Sequence, residues 1–277
     1  MSEPSRAAPY RRERRERVHV FDATTLPWLE TPNPGLRLKP IHLDDARGEF
    51  LGLIAFDPFT RSGLHQHQGI ATSFILEGGL SDYLGPVNQH EVGINYRGST
   101  HDAIAYVPTV LVSKLEGPVT YPVDAGVLSG IHAGSRHENF RNPAPDVPPE
   151  INVAIDALPR LGTGVDGLRR QDIYDYVHSS DVRRMAQWHL RPETEVPAWQ
   201  ASDWVELWVR GGEIAVNGMP AHANCFVVVE PGATVRIASP YGALVLAWAE
   251  GRERWDGGSA NGREAGNDHP RPNLFGF

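Results

Sequence analysis

Along the chain, short apolar runs alternate with turn signals. The runs fall at residues 50–56, 72–76, 103–115, 204–209, 225–229 and 244–249, are rich in Val, Ile and aromatic residues, and are bounded by Gly, Pro, Asn or Asp. Runs of this length and flanking predict strands. One stretch is patterned differently. Across 168–178, the apolar Leu168, Ile173, Tyr174 and Val177 leave polar residues on the other side, which predicts a short helix. Residues 137–167 are dense in Pro and Gly (NPAPDVPPE, then LGTGVDG) and read as a connection, interrupted only by a strand-like 151–155. The expected class is all-β with few helices.

The pattern also repeats. HQHQGIATSFILEGG, GSTHDAIA and VLVSKLEG in the first half are answered in the same order and spacing by WQASDWVELWVRGG, GATVRIAS and LVLAWAEG in the second. Each half has an apolar strand ending in Gly-Gly (Gly78 and Gly79; Gly211 and Gly212), a later Gly-containing turn, and a closing strand ending in Glu-Gly. One β-barrel unit is therefore read as duplicated. In this alignment His65 faces Ala198, His67 faces Gln200 and His101 faces Val235. A structural role shared by both copies would keep equivalent side chains, whereas a site used once can be absent from the other copy.

Those three histidines carry the candidate chemistry. Side chains at i and i+2 of a strand share a face, about 6.8 Å apart at Cα, so His65 and His67 can converge on one ion. His101 follows a Gly-containing turn that opens another strand and can supply the third nitrogen. Three neutral imidazoles suit Fe, Zn, Ni, Cu or Co and leave positions open for water, oxygen or substrate. The plainer alternative for the pair alone is two surface histidines on an edge strand.

At these residues the sequence resembles the cupin superfamily. The first cupin motif pairs HxH with a Glu four residues on and a Gly seven beyond that, and here reads His65-Gln66-His67, then Ala71, then Gly78; the second is matched by Gly98 and His101. The string HQHQGIATSFILEGGLSDYLG looks like the ChrR-like cupins, a group similar to 2,4'-dihydroxyacetophenone dioxygenase, as does WLETPNPGLRLKP from Trp28. The resemblance covers about residues 20–120 and implies double-stranded β-helix (jelly-roll) barrels, two per chain. With Ala71 in place of the carboxylate, it implies a three-histidine metal site. Tyr96 and Ala105 stand where the second motif usually has Pro and Asn. The layout expected is a basic arm over 1–19, an N-terminal metal-binding cupin over 20–135, a connection over 136–179 with the short helix, a degenerate C-terminal cupin over 180–255, and a polar tail over 256–277, of which 256–272 reads as disordered or draped over the surface.

Charge and composition narrow the class. Lys and Arg number 26 against 34 Asp and Glu, a formal net charge of −8, which argues against a nucleic-acid partner. Residues 1–17 hold six Arg and three Glu, a local +3 that leaves −11 for the rest. The single cysteine, Cys225, beside Phe226 and three valines, reads as core and excludes an intrachain disulfide framework. No run approaches a membrane span and no signal-peptide core is seen, so no membrane partner and a cytoplasmic location are expected. Glu77 and Asp82 read as turn residues or, less readily, as support for a ligand imidazole. His132 and His137, at i, i+5 in a loop, are read as outside the site. Lys114 and Arg97 are expected to face solvent, the alternative being attraction of an anionic substrate, and Trp188, Trp199, Trp204 and Trp208 to serve core or interdomain packing in preference to an aromatic ligand cage.

The function expected is a mononuclear metal-dependent enzyme. Through the resemblance, it is a non-haem Fe(II) dioxygenase that oxidises or cleaves a small hydroxyketone or aromatic substrate with O₂, as a homodimer with one divalent ion per chain. Zn, Ni, Mn or Co in the same site would suit hydrolase, isomerase or lyase chemistry. The other class is a metal-binding or ligand-sensing module without turnover. An anti-sigma factor would need a Cys/His zinc domain in the place of the arginine-rich arm.

Overall fold

The computed structural model describes residues 17–82, 85–121, 151–178, 181–255 and 272–276. Expectations for the arm over 1–16, for His132 and His137, and for the tail over 256–271 lie outside these residues. The described chain is β-sheet joined by turns, with two single-turn 3₁₀ segments, Ala23–Thr25 and Ile155–Ala157, as expected for a two-barrel cupin. No described helix is long and apolar enough to cross a membrane.

Two compact units form. The first is Pro27–Ile155, and the second takes Arg12–Leu26 together with everything from Asp156 onward. The boundary at 155/156 lies inside the stretch read as a connection. In the first unit a seven-stranded antiparallel sheet runs in the order Ile151–Ala154, Glu91–Asn95, Ala71–Glu77, Thr109–Glu116, Glu49–Phe56, Leu36–Asp44, Leu29–Glu30. A four-stranded sheet (Thr60–Arg61, Ile104–Ala105, Gly79–Asp82, Gly85–Asn88) and a three-stranded one (Thr100–His101, His65–His67, Val119–Thr120) complete it. The second unit repeats the order: Val18–Asp22 pairs with Cys225–Val229, which pairs with Val205–Val216, then Ala243–Glu250, Asp181–Leu190, Leu168–His178 and Leu161–Gly162. Each unit thus takes one edge strand from the segment preceding the other repeat, which a linear reading of domain boundaries does not reveal.

The duplication is real, but its register differs by one residue from the sequence alignment. His101 pairs with His65, and Val235 pairs with Trp199. The His67 N–H donates to the Ser99 carbonyl at 3.0 Å and the Gly98 N–H to the His67 carbonyl at 2.8 Å; Ala201 and Gly232 make the same two bonds, Ala201 to Ala233 at 3.2 Å and Gly232 to Ala201 at 2.7 Å. Equivalent positions are therefore 134 apart from the Glu49–Phe56 strand onward, and 132 apart in the strands before it. His65 corresponds to Trp199 and His67 to Ala201, not to Ala198 and Gln200. The first glycine of one Gly-Gly pair matches the second of the other, for Gly78 and Gly212 share φ of +73° and +74°. A Cβ there would lie 2.4 Å from the Pro108 carbonyl oxygen and 2.1 Å from that of Gly242, so both places require glycine.

Leu168–His178 is a strand, not a helix. It pairs along its length with Asp181–Leu190, and a β-bulge between Asp172 and Tyr174 leaves Ile173 as the extra residue. That insertion breaks the two-residue alternation, and the sum of a strand period and one extra residue imitates helical spacing. Residues 272–276 also depart from expectation: Leu274 and Phe275 are buried within the core of the second unit. That core is apolar to the centre, built on Trp188, Trp199, Leu207, Val209, Val245 and Ala247, and each fully buried large apolar side chain contributes about 1.5–3 kcal/mol. In the first unit the cluster of Phe56, Ile75, Leu80, Val87, Ala103, Ala105 and Leu111 fills only part of the barrel, and the inward rows continue from Ile75 and Leu111 into Ser73 and Ser113.

Candidate metal centre

His65–His67 is a three-residue strand whose neighbours are Thr100–His101 on one side and Val119–Thr120 on the other. The i, i+2 alternation buries His65 and His67 while Gln66 stays half-exposed, and the direct pairing of His101 with His65 brings in the third ring. The three Nε2 atoms form a triangle: 3.2 Å from His65 to His67, and 3.0 Å from His101 to each of the others. The three residues read from the sequence meet at one point, which among the described residues is the one cluster with metal-ligating geometry.

The hydrogen bonds behind the rings decide what the triangle can do. His65 Nδ1 lies 2.6 Å from the Gly63 carbonyl oxygen, which can only accept, so the ring proton sits on Nδ1 and the neutral Nε2 presents a lone pair. His101 Nδ1 faces the Asp82 carboxylate, with the same consequence for its Nε2. Burial pushes the His65 imidazole down to about 3, with His101 adding to the shift; burial, then His101 and His65, hold His67 well below its ordinary value. His65 and His67 are therefore neutral at pH 7, and the three Nε2 atoms crowd within hydrogen-bond distance of one another. A divalent cation at the centre would take all three as ligands. For metal–nitrogen bonds of about 2.1 Å, ligands at right angles stand about 3.0 Å apart, so the triangle fits one face of an octahedron with the opposite face open.

The supports come from three places. Asp82 is buried, so the surface-turn reading holds for the exposed Glu77 and fails for Asp82. A signal was present: Leu80 and Asp82 are two apart on one strand and both point inward. Asp102, fully buried, accepts from the Gly63 N–H at 3.1 Å and from the Arg61 guanidinium, which fixes the turn that aims the Gly63 carbonyl at His65. Ala71 is buried where the carboxylate would stand, next to Asn95 in the neighbouring strand. Tyr121, 63% exposed, has its ring 6.2 Å from that of His65 and stands at the mouth.

Other candidates fall elsewhere. Arg97 is exposed, whereas Lys114 is buried rather than solvent-facing. Trp188, Trp199 and Trp208 are buried in the second unit, and Trp204 is partly so. Cys225 is buried, and burial pushes its thiol up, which suits core and not a nucleophile.

Comparison with known proteins follows the geometry. Residues 16–120 match the family described as ChrR Cupin-like domain. Among solved structures, a candidate dioxygenase from Nostoc punctiforme superposes with a TM-score of 0.66 at 11% identity, covering 88% of this chain and 85% of that one. Oxalate decarboxylase from Bacillus subtilis superposes with a TM-score of 0.57 at 10% identity, covering 86% of this chain and 78% of the other. No curated protein sequence matches significantly. At such identities the superpositions speak for the fold. Residues 16–120 thus carry a match to the ChrR Cupin-like domain, and the chain has the two-barrel cupin fold.

Proposed function

We propose that the first barrel is the active site of a mononuclear, metal-dependent enzyme, and that the protein is a non-haem Fe(II) dioxygenase acting with O₂ on a small hydroxyketone or related aromatic. The observation that carries the reading is the triangle of buried Nε2 atoms, 3.0–3.2 Å apart, the one such cluster among the described residues. A bound divalent ion supplies Lewis-acid and one-electron chemistry to a substrate oxygen. The protein's own part is positioning. Asp82 and the Gly63 carbonyl lock the rings of His101 and His65 so that both present Nε2, and second partners of this kind raise ligand basicity and fix ring orientation. Ala71 adds neither charge nor bulk, which leaves room for a substrate with two oxygens, and Tyr121 offers an aromatic face at the entrance. The structural likeness to the Nostoc candidate dioxygenase supports the redox reading.

A lyase reading has its own support, since the superposed Bacillus oxalate decarboxylase is described with Mn(II) centres. Protein purified anaerobically and loaded separately with Fe(II) or Mn(II) separates the two. Oxygen uptake with hydroxyketones by the Fe(II) form is the expected result. Release of CO₂ from a carboxylic acid by the Mn(II) form, with no oxygen uptake by either, selects the lyase. Metal binding with neither reaction across the panel leaves a binding module.

A further inference from the structure

The second barrel packs residues 272–276 against its interior, where Leu274 and Phe275 are buried. The Asn273 N–H donates to the Thr163 carbonyl at 2.7 Å, Arg170 donates to the Asn273 carbonyl at 2.8 Å, and the Trp188 indole donates to the Leu274 carbonyl at 2.8 Å. The Leu274 N–H donates to the Glu253 carboxylate at 3.3 Å. Phe275 packs its ring 5.1 Å from that of Trp188 and 6.4 Å from that of Trp199, the counterpart of His65, under the Arg184 guanidinium at 5.1 Å. We propose that the mouth of the second barrel is a peptide-binding site, and that its ligand is the chain's own Asn-Leu-Phe-Gly segment, held as a releasable ligand and not as permanent core.

Three observations distinguish a ligand from core. The segment belongs to no strand, so every ladder of the second barrel closes without it. The socket reads it as peptides are read, main-chain groups by fixed donors and acceptors and one aromatic side chain by a pocket. Part of that reading comes from Arg170, Arg184 and Glu253, charged groups that border an apolar core cluster. Finally, Trp255 pairs with Trp199 in the socket wall, and the sixteen residues 256–271 separate it from Pro272. That length can span up to about 55 Å, while its two ends flank one pocket. The segment can leave without pulling on the barrel.

The test uses the full chain with a site-specific protease sequence placed within 256–271 and cut only after folding, so that the barrel forms with its own segment in place. A fluorescein-labelled peptide of residues 270–277, PRPNLFGF, is then added in hundredfold excess. The expected result is displacement of the cut fragment within hours and saturable one-to-one binding by anisotropy, with the Phe275→Ala peptide at least tenfold weaker. Metal content of the first barrel should be unchanged. A fragment that stays bound for a day against excess peptide would show fixed core. Equal binding by the Phe275→Ala peptide would show that no pocket reads the sequence. Either result overturns the proposal.

Discussion

The two barrels share one backbone plan and differ in what fills it. At the constant spacing of 134 residues, His65, His67 and His101 correspond to Trp199, Ala201 and Val235, Asp82 to Val216, Asn95 to Val229, and the Ser73–Ser113 pair to Leu207–Ala247. Each of these polar groups has an apolar counterpart that is almost wholly buried, whereas Asp102, which braces the Gly63 turn, corresponds to the exposed Arg236. The three histidines and the carboxylate that orients His101 are thus replaced together. A carboxylate left inside without its imidazole would be an unpaired buried charge, so once the metal site is lost the supporting residues are stable only if they become apolar. The comparison separates two uses of one interior: polar residues that could hold a metal ion, and a hydrophobic core that needs nothing added.

The largest expected effect breaks the first barrel. His101→Ala leaves two protein ligands, and with Ala71 in the carboxylate position there is no neighbour to compensate. Elemental analysis should find the metal, one ion per chain in the parent, lost from the variant, with turnover abolished. Two ions per parent chain would contradict the empty second barrel.

The next prediction crosses the barrels at one equivalent position. Trp199→Ala removes an indole that is fully buried, a change that costs about 3–5 kcal/mol in a packed core. Chemical denaturation should show that loss while metal content stays that of the parent. His65→Ala should do the reverse. It should release the metal yet lower the stability of the metal-free protein little, because it relieves the crowding of three buried imidazoles.

How far the sequence exposes this contrast depends on whether the signal is local. The HxH pair is legible because strand alternation alone puts both rings on one face, and His101 because a glycine turn precedes it. The repeat is legible from its order and spacing, but its register is not, since Gly211 and Gly212 are indistinguishable until φ marks the second as the turn. The exchanged edge strands Val18–Asp22 and Ile151–Ala154 pair with partners far along the chain, and nothing in their own residues names the partner. The bulge at Ile173 disguises a strand for the same reason: the extra residue is defined by the strand opposite. The burial of Leu274 and Phe275 is set by a socket whose walls come from strands nearly a hundred residues earlier.

Acid should separate the barrels more gently. In metal-free protein His65 takes up a proton near its ordinary pKa of about 6.5 when unfolded and only near about 3 when folded. Between these values the unfolded state binds more protons. Stability from the neutral ring is thus full above pH 6.5 and declines as pH falls toward 3; His67 acts in the same direction. The second barrel has His189 held down by burial and by Arg160 and Arg210, but that ring is partly exposed and lies outside the apolar interior. Hydrogen exchange, corrected for its intrinsic pH dependence, should therefore show His65–His67 and Thr100–His101 opening at pH 4.5 before Cys225–Val229. Simultaneous opening would mean the buried imidazoles do not govern the acid limit.

The smallest effects come from two acids five residues apart that look alike in the sequence. Asp82 is buried and holds His101 by Nδ1, whereas Glu77 ends its strand exposed. Asp82→Asn keeps the shape but replaces a carboxylate by an amide, which weakens the hold on the Nδ1 proton and lowers the basicity of Nε2. Second partners of metal-bound histidine are worth about 10–100-fold in metal affinity, so competition with a chromogenic chelator should show a loss in that range. The fold should survive, because the amide oxygen still accepts. Glu77→Gln should change neither metal affinity nor stability beyond about 0.5 kcal/mol, the ordinary range for a surface substitution. Equal effects from the two variants would place the carboxylate's influence in the net charge around the first barrel and not in the orientation of one ring. The contrast between a polar interior completed by metal and an apolar one completed by packing would then lose its most local support.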